Sequence, residues 1–381
     1  MSTTSRHFRV DNGDMHLFTF ESGRRLLVDI KIRRSADDPD DDTPDVATQL
    51  RKELKRDPNG RLFVDAFLLT HPDADHICGL EEHFHLGPIE DYDDDGDKIV
   101  IREMWSSAVV FRRQTRDHKL CADACAWAKE ARRRVKAHRD GKGNVDGERI
   151  LIMGEDVDGK TDDLGAILVK TGERLTRIGG VEDGTFSSLL LAPLPAADDE
   201  EEELLSKNDS SVIMQLTIRS GDRPQAGRYL LGGDAGVAIW ERIWRRHGGR
   251  PDDLAYDVLI APHHCSWRSL SWDSWSDKRE KVQVSPEARD ALGQALTGAL
   301  VVSSSCKVKD DDNDPPCIRA KQEYVSIVEP KGGEFRCVAD GASDEPLVIE
   351  TNWAGPKIKR VAMGLAAAAT TGIGSEAVAH G

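Results

Sequence analysis

Residues 68–80 read LLTHPDADHICGL, an apolar run followed by His71, Asp73, Asp75 and His76 within six positions. Carboxylates and imidazoles packed this densely beside apolar chain are costly unless a cation sits among them. The preceding stretch "RLFVDAFLLT" has the length and composition of a buried strand, which places the cluster at that strand's C-terminal end. A fold that satisfies this loop must bring further ligands to it from other segments.

Two other segments offer them. Gly232-Gly233-Asp234 ends the apolar run "GRYLLGGD", and Pro262-His263-His264 follows "DVLIA". Each is weak alone, since Gly-Gly-Asp after a strand is usually a turn. In this order, and each at a strand end, the three segments read as one site. Carboxylate oxygens suit hard divalent ions, and imidazole suits borderline ions such as zinc or manganese. A loop supplying both ligand types serves two ions if another carboxylate bridges them, and Asp234 is the natural bridge.

Between these segments the chain alternates strands and helices. "HFRVDNGDMHLFTFESGRRLLVDIKI" alternates in hydropathy and is broken by Asn-Gly and Ser-Gly, the pattern of hairpins. Helices are expected near 45–56, 114–139, 235–247, 285–295 and 317–328, and strands near 187–194, 211–218, 227–234, 257–264 and 299–305. Residues 90–185 are the least regular, with a strand expected at "IVIREMWSS", and read as an insertion that could cap a site or equally serve as padding around the fold. Strand runs flanked by helices in two successive halves predict an α/β sandwich, two mixed sheets face to face with helices outside. One domain is expected over 1–350, with a flexible alanine-rich tail over 351–381.

Composition narrows the rest. No run approaches the roughly 20 apolar residues of a membrane helix, and the N-terminus has no apolar signal core, so cytoplasm is the expected compartment and no membrane partner is expected. The seven cysteines are scattered without CxxC spacing, which indicates neither a disulfide framework nor a zinc knuckle. The net charge of −16 opposes long-range attraction of polyanions. Basic clusters at 129–139 and 240–250 read as solvated faces of amphipathic helices.

The order HxDxDH, then Gly-Asp, then a terminal histidine resembles the metallo-β-lactamase superfamily. The finer match is to the hydrolase domain of ComEC-type DNA-uptake competence proteins and their free-standing relatives. "THPDADHICGL", "NDSSVIMQL", "YLLGGDAG" and "DVLIAPHHCSWRS" carry it, and it spans about residues 7 to 350. Asp73 stands where the superfamily more commonly has histidine, as in the competence branch, and an oxygen there makes manganese or magnesium plausible beside zinc. Cys78 and Cys265 stand where the branch has glycine. Asp314 in "DDNDPP" replaces a late histidine, and no clear extra ligand histidine follows the first motif. His118 and His138 fall in the expected insertion helix and read as surface residues.

The resemblance implies an αββα fold and two divalent metal ions. His71 and Asp73 would hold one ion, Asp75 and His76 the other, with Asp234 bridging. His263 or His264 would complete the shell; the register of the family motif favours His264. Two ions roughly 3.5–4 Å apart lower the pKa of a bridging water and stabilise charge on attacking and leaving oxygens, so Asp75, Asp234 and His263 are the expected catalytic groups. Asp29, ending "LLVDI", is a candidate to orient a ligand histidine. Asn208, Ser211, Ser266 and Ser269 are candidate substrate contacts. The expected activity is a metal-dependent phosphodiesterase or nuclease, acting on nucleic acid or a nucleotide. The alternatives are a hydrolase of a small ester, lactone or cyclic nucleotide, which the acidic surface suits better, and a regulatory module with a vestigial site.

Overall fold

A computed structural model of the chain describes residues 2–359 except 39, 113–118, 157–158, 196–206 and 342. Two mixed sheets dominate. The first has nine strands, in the order Leu168–Val169, Arg149–Met153, Glu103–Ser106, Ala66–Leu68, Arg25–Val28, His16–Thr19, Thr3–His7, Leu347–Asn352 and Gly355–Ile358. The second has seven, in the order Arg174–Leu175, Phe186–Ala192, Ile213–Ser220, Arg223–Leu231, Tyr256–Ile260, Ala295–Ser303 and Glu334–Cys337.

Period-two patterning tells each strand which face to bury. Along Ile213–Ser220, the side chains of Met214, Leu216 and Ile218 enter a core shared by both sheets, while Ile213 belongs to a second core beneath helices. Likewise Tyr229 and Leu231 point to the shared core and Leu230 to the other. Aromatic pairs join the sheets: Phe20 stacks on Phe186 with centroids 4.5 Å apart, and Phe18 meets Tyr229 edge to face at 5.2 Å. Helix Val237–His247 buries Val237, Trp240, Ile243 and His247, one face of a 3.6-residue period, against the outer face of the second sheet. On the first sheet, Trp127 of helix Ala122–Arg139 packs on Phe67 at 4.8 Å and donates its indole N–H to Ser106.

Three expectations change. Described strands of residues 90–185 belong to the fold itself. Glu103–Ser106, Arg149–Met153 and Leu168–Val169 extend the first sheet in parallel from Ala66–Leu68, because their apolar runs, though short, are buried on both faces by the core and the helix. The ordered chain runs past residue 350, since Leu347–Asn352 and Gly355–Ile358 pair as an antiparallel hairpin at the sheet edge. The rest of the expected flexible tail, from residue 360, lies outside the described residues, as does His118. The basic helix near 129–139 is no solvated stripe throughout: Arg134 is buried and donates to Glu130 and to the carbonyls of Ile101 and Arg149. No described helix is long and apolar enough to cross a membrane.

The topology positions the site through strand ends. Arg25–Val28 pairs in parallel with Ala66–Leu68, with Val28 opposite Leu68. Arg223–Leu231 pairs in parallel with Tyr256–Ile260, with Leu231 opposite Ile260. Asp29, His71, Asp234 and His264 thus all lie just past the carboxyl ends of parallel strands, where open α/β sheets place ligand sites.

Candidate metal centre

The first loop is anchored from behind. Asp29 is fully buried with a left-handed backbone (φ 53°), and its carboxylate faces Thr70 and His76. It accepts the Thr70 amide N–H at 2.7 Å, the Thr70 hydroxyl at 2.6 Å and His76 Nδ1–H at 2.8 Å. His76 Nε2 is therefore the free nitrogen, and it points into the cluster. With its proton committed to Asp29, the Thr70 oxygen is left to accept from His71 Nδ1 at 3.1 Å, which presents His71 Nε2 in the same way.

Six predicted ligands converge. His76 Nε2 lies 3.1 Å from Asp234 Oδ1, and His71 Nε2 lies 3.6 Å from Asp234 Oδ2. His264 Nε2 is 3.4 Å from Asp234 Oδ2 and 3.4 Å from Asp75 Oδ2. Asp73 Oδ2 is 3.8 Å from His71 Nε2. Asp234 thus faces both the His71–Asp73 side and the Asp75–His76–His264 side.

Asp234 is held in place by its approach. Gly233 has φ +49°, and a Cβ there would stand 2.9 Å from Cβ of Ser211. The Asp234 amide donates to the Ser211 hydroxyl at 3.3 Å, and that hydroxyl donates to the Asn208 carbonyl at 2.6 Å.

The histidine pair sits in a turn of unusual backbone. His263, His264 and Cys265 all have positive φ, between 51° and 69°. Three consecutive left-handed non-glycine residues cost roughly 1–3 kcal/mol each, so the surroundings must impose them. The turn sends the rings apart, with an interplanar angle of 76°. His264 is buried among the carboxylates, whereas the His263 side chain is 19% exposed, with Nε2 3.7 Å from Asp234 Oδ2.

The donor set fits a cation. His71 Nε2, Asp234 Oδ1 and His264 Nδ1 are buried without a hydrogen-bond partner. His76 Nε2 and His264 Nε2 face each other at 3.3 Å, so two proton-free nitrogens would repel without an ion between them. Burial alone would lower the pKa of His76 and His264, but Asp234, with Asp29 for His76 and Asp14 for His264, outweighs it and holds both well above the usual range. Asp234 shows the reverse balance: burial pushes up, and the surrounding histidines pull its carboxyl well below the carboxylate range. Without metal, imidazolium protons thus stand in for the cation.

One member is absent from the sequence reading. Asp14 lies in the loop between Thr3–His7 and His16–Thr19, and with His76, Asp234 and His264 it offers ligand atoms all within 4.8 Å of one another. Its Oδ1 is 3.5 Å from His264 Nδ1, and its amide donates to the Asp75 carbonyl at 3.2 Å. Burial works against its charge, yet His16 and His264 hold its carboxyl well below the usual range. In sequence it is only the aspartate ending the turn "DNGD". Behind it runs a buried polar chain: His16 Nε2 lies 3.5 Å from Asp14, His16 Nδ1 3.1 Å from His7 Nδ1, and Ser5 3.0 Å from His7 Nε2.

The expected substrate contacts divide. Asn208 lines a cleft of about 380 Å³ that opens from Asp234 and His263, and no described residue of 90–185 lines it. Ser211 is buried beneath Asp234. Ser266 is fully buried with its hydroxyl donated to Asp314 at 2.6 Å, and Ser269 donates to the Ala235 carbonyl at 3.0 Å. Neither faces the cleft, because the positive-φ turn rotates the chain after His264 into the core. Cys265 is likewise a buried thiol whose pKa burial raises, packed in the second core and not a ligand. His138 is half-buried near the C-terminal end of its helix. A scan against protein-family models finds no match to this chain, and neither does a search of the curated proteins.

Proposed function

We propose that the chain is a metal-dependent hydrolase of phosphodiesters, a nuclease or nucleotide phosphodiesterase, with the αββα architecture of the metallo-β-lactamase superfamily that its motifs resemble. The observation that carries this reading is the convergence of His71, Asp73, Asp75, His76, Asp234 and His264 from three strand ends, with buried nitrogen and oxygen atoms that lack a hydrogen-bond partner. The two-sheet packing with helices outside is in keeping with it.

His71, Asp73 and Asp234 would hold one divalent ion, zinc, manganese or magnesium. Asp75, His76 and His264, again with Asp234, would hold the second, with Asp14 steadying His264. Such a pair supplies an activated water and polarises the phosphoryl oxygens. The chain's own residues do the rest. Asp29 and Thr70 fix which nitrogen each first-loop histidine presents. Ser211 fixes the Asp234 backbone. His263, on the open side, is placed to hold or transfer a proton at the leaving oxygen.

A small substrate, such as a cyclic or short nucleotide diester, is favoured over duplex nucleic acid. The cleft is about 380 Å³, and the chain carries a net charge of −16. The test is hydrolysis of bis-p-nitrophenyl phosphate by protein loaded with manganese or zinc, beside nitrocefin. Diester turnover without β-lactam turnover is expected; nitrocefin turnover with no diester hydrolysis under any ion would overturn the reading.

A further inference from the structure

The cleft beside Asp234 contains two residues that the metal chemistry does not use. Trp272 is 61% exposed, one of few large apolar side chains left on the surface. It is nevertheless fixed: its indole N–H donates to Glu241 Oε1 at 2.9 Å, and the same oxygen accepts from the Ser285 hydroxyl at 2.7 Å. A tryptophan held by its edge, with its body in solvent and on a cleft, is a prepared stacking surface whose ordering is achieved before a ligand arrives. Arg268 lines the same cleft. Among the described residues no carboxylate pairs with Arg268, although this acidic chain pairs most of its arginines.

The described acidic residues that line the cleft are committed elsewhere. Asp273 pairs with Lys278. Asp209 accepts the Gly236 amide at 2.8 Å, and burial pushes its carboxyl up to about 6. Asp234 belongs to the metal cluster. An unpaired guanidinium thus shares one cleft with Asp234 and an aromatic face. Guanidinium recognises phosphate in bidentate fashion, and an indole face accepts any nucleobase.

We propose that Arg268 and Trp272 form a specificity subsite for one nucleoside phosphate unit, with Arg268 on its phosphate and Trp272 stacked on its base. This rests on the metal-hydrolase reading, because the phosphate so oriented lies next to Asp234 and His263. It deepens that reading by naming what flanks the scissile diester. The cleft, at about 380 Å³, holds one such unit and not a base-paired duplex.

The test uses binding, so it does not depend on turnover. Manganese-loaded protein is titrated calorimetrically with adenosine 5′-monophosphate and, as the base-free probe, ribose 5-phosphate. The expected result is that W272A weakens adenosine monophosphate binding by roughly fivefold to a hundredfold and leaves ribose 5-phosphate binding unchanged. W272F restores most of the loss, and R268Q weakens both probes by roughly tenfold. W272A that binds both probes as wild type does, or that weakens both equally, overturns the stacking surface. R268Q with unchanged affinity for both overturns the phosphate contact. Failure to hydrolyse any diester, with these binding differences intact, would sink the hydrolase reading while leaving the subsite standing.

Discussion

Asp29 gives the sharpest handle on how the fold prepares its ligands. Its carboxylate accepts from the Thr70 amide, the Thr70 hydroxyl and His76 Nδ1 at 2.6–2.8 Å, all buried. Replacing it by alanine would orphan three donors at about 1–3 kcal/mol each, a sum comparable with the whole stability of a domain, so unfolding would mask the effect. Asp29→Asn is the informative change. The amide oxygen keeps the Thr70 N–H, but the NH₂ group now faces His76 Nδ1 and can be satisfied only if that nitrogen loses its proton. The proton then moves to Nε2, the atom 3.1 Å from Asp234 that must stay bare to bind an ion. Losing such an outer partner weakens metal affinity by about 10- to 100-fold, and loss of the buried charge-assisted bonds costs about 1.5–3 kcal/mol of stability. Chelator competition measures the first and urea denaturation the second. Wild-type metal affinity together with lost stability would refute the argument, leaving Asp29 as a turn-stabilising residue only.

Other substitutions separate neighbouring roles. His264→Ala should lower metal occupancy and abolish diester hydrolysis, whereas His263→Ala should keep its metals and lose roughly 10²- to 10⁴-fold in kcat, measured by metal analysis beside steady-state kinetics. The reverse pattern would exchange their roles. Gly233→Ala should destabilise by about 1–3 kcal/mol and loosen metal binding, since its Cβ at φ +49° would press on Ser211 2.9 Å away; unchanged thermal unfolding would contradict that. Metal loading should expel protons from His76 and His264, so metal affinity rises with pH, by up to about tenfold per unit for each proton released. In metal-free protein the same raised pKa values stabilise the fold fully below the unfolded histidine pKa of about 6.5, and this contribution fades as pH climbs through the folded values. Urea melts across pH with and without metal test the sign.

How much of this could be read from residues alone differs by element. The strand ends are legible because apolar runs such as "GRYLL" and "DVLIA" stop where ligand-type residues begin. The divergence of His263 and His264 followed from strand alternation in outline, yet its cause is a left-handed turn that no local propensity for histidine signals. Asp14 was not legible. Its role depends on a hairpin loop packing on the first motif, where a Cβ at Gly13 would meet the Asp75 carbonyl at 2.7 Å, and sequence separation hides that contact. The segment 90–185 looked irregular because its sheet strands are only two to five residues long and lie between polar loops. Ser266 and Ser269 matched a motif by spacing, but the turn before them buries both hydroxyls on protein partners.

The central claim is that Asp234 bridges two ions in one cluster. Inductively coupled plasma analysis of protein equilibrated with manganese or zinc and then desalted tests it directly, on wild type and on Asp234→Ala shown to be folded by circular dichroism. About two ions per wild-type chain, and one or none in the variant, is the result this account predicts. Wild-type protein that retains no ion, or a folded variant that retains as many as wild type, would contradict it.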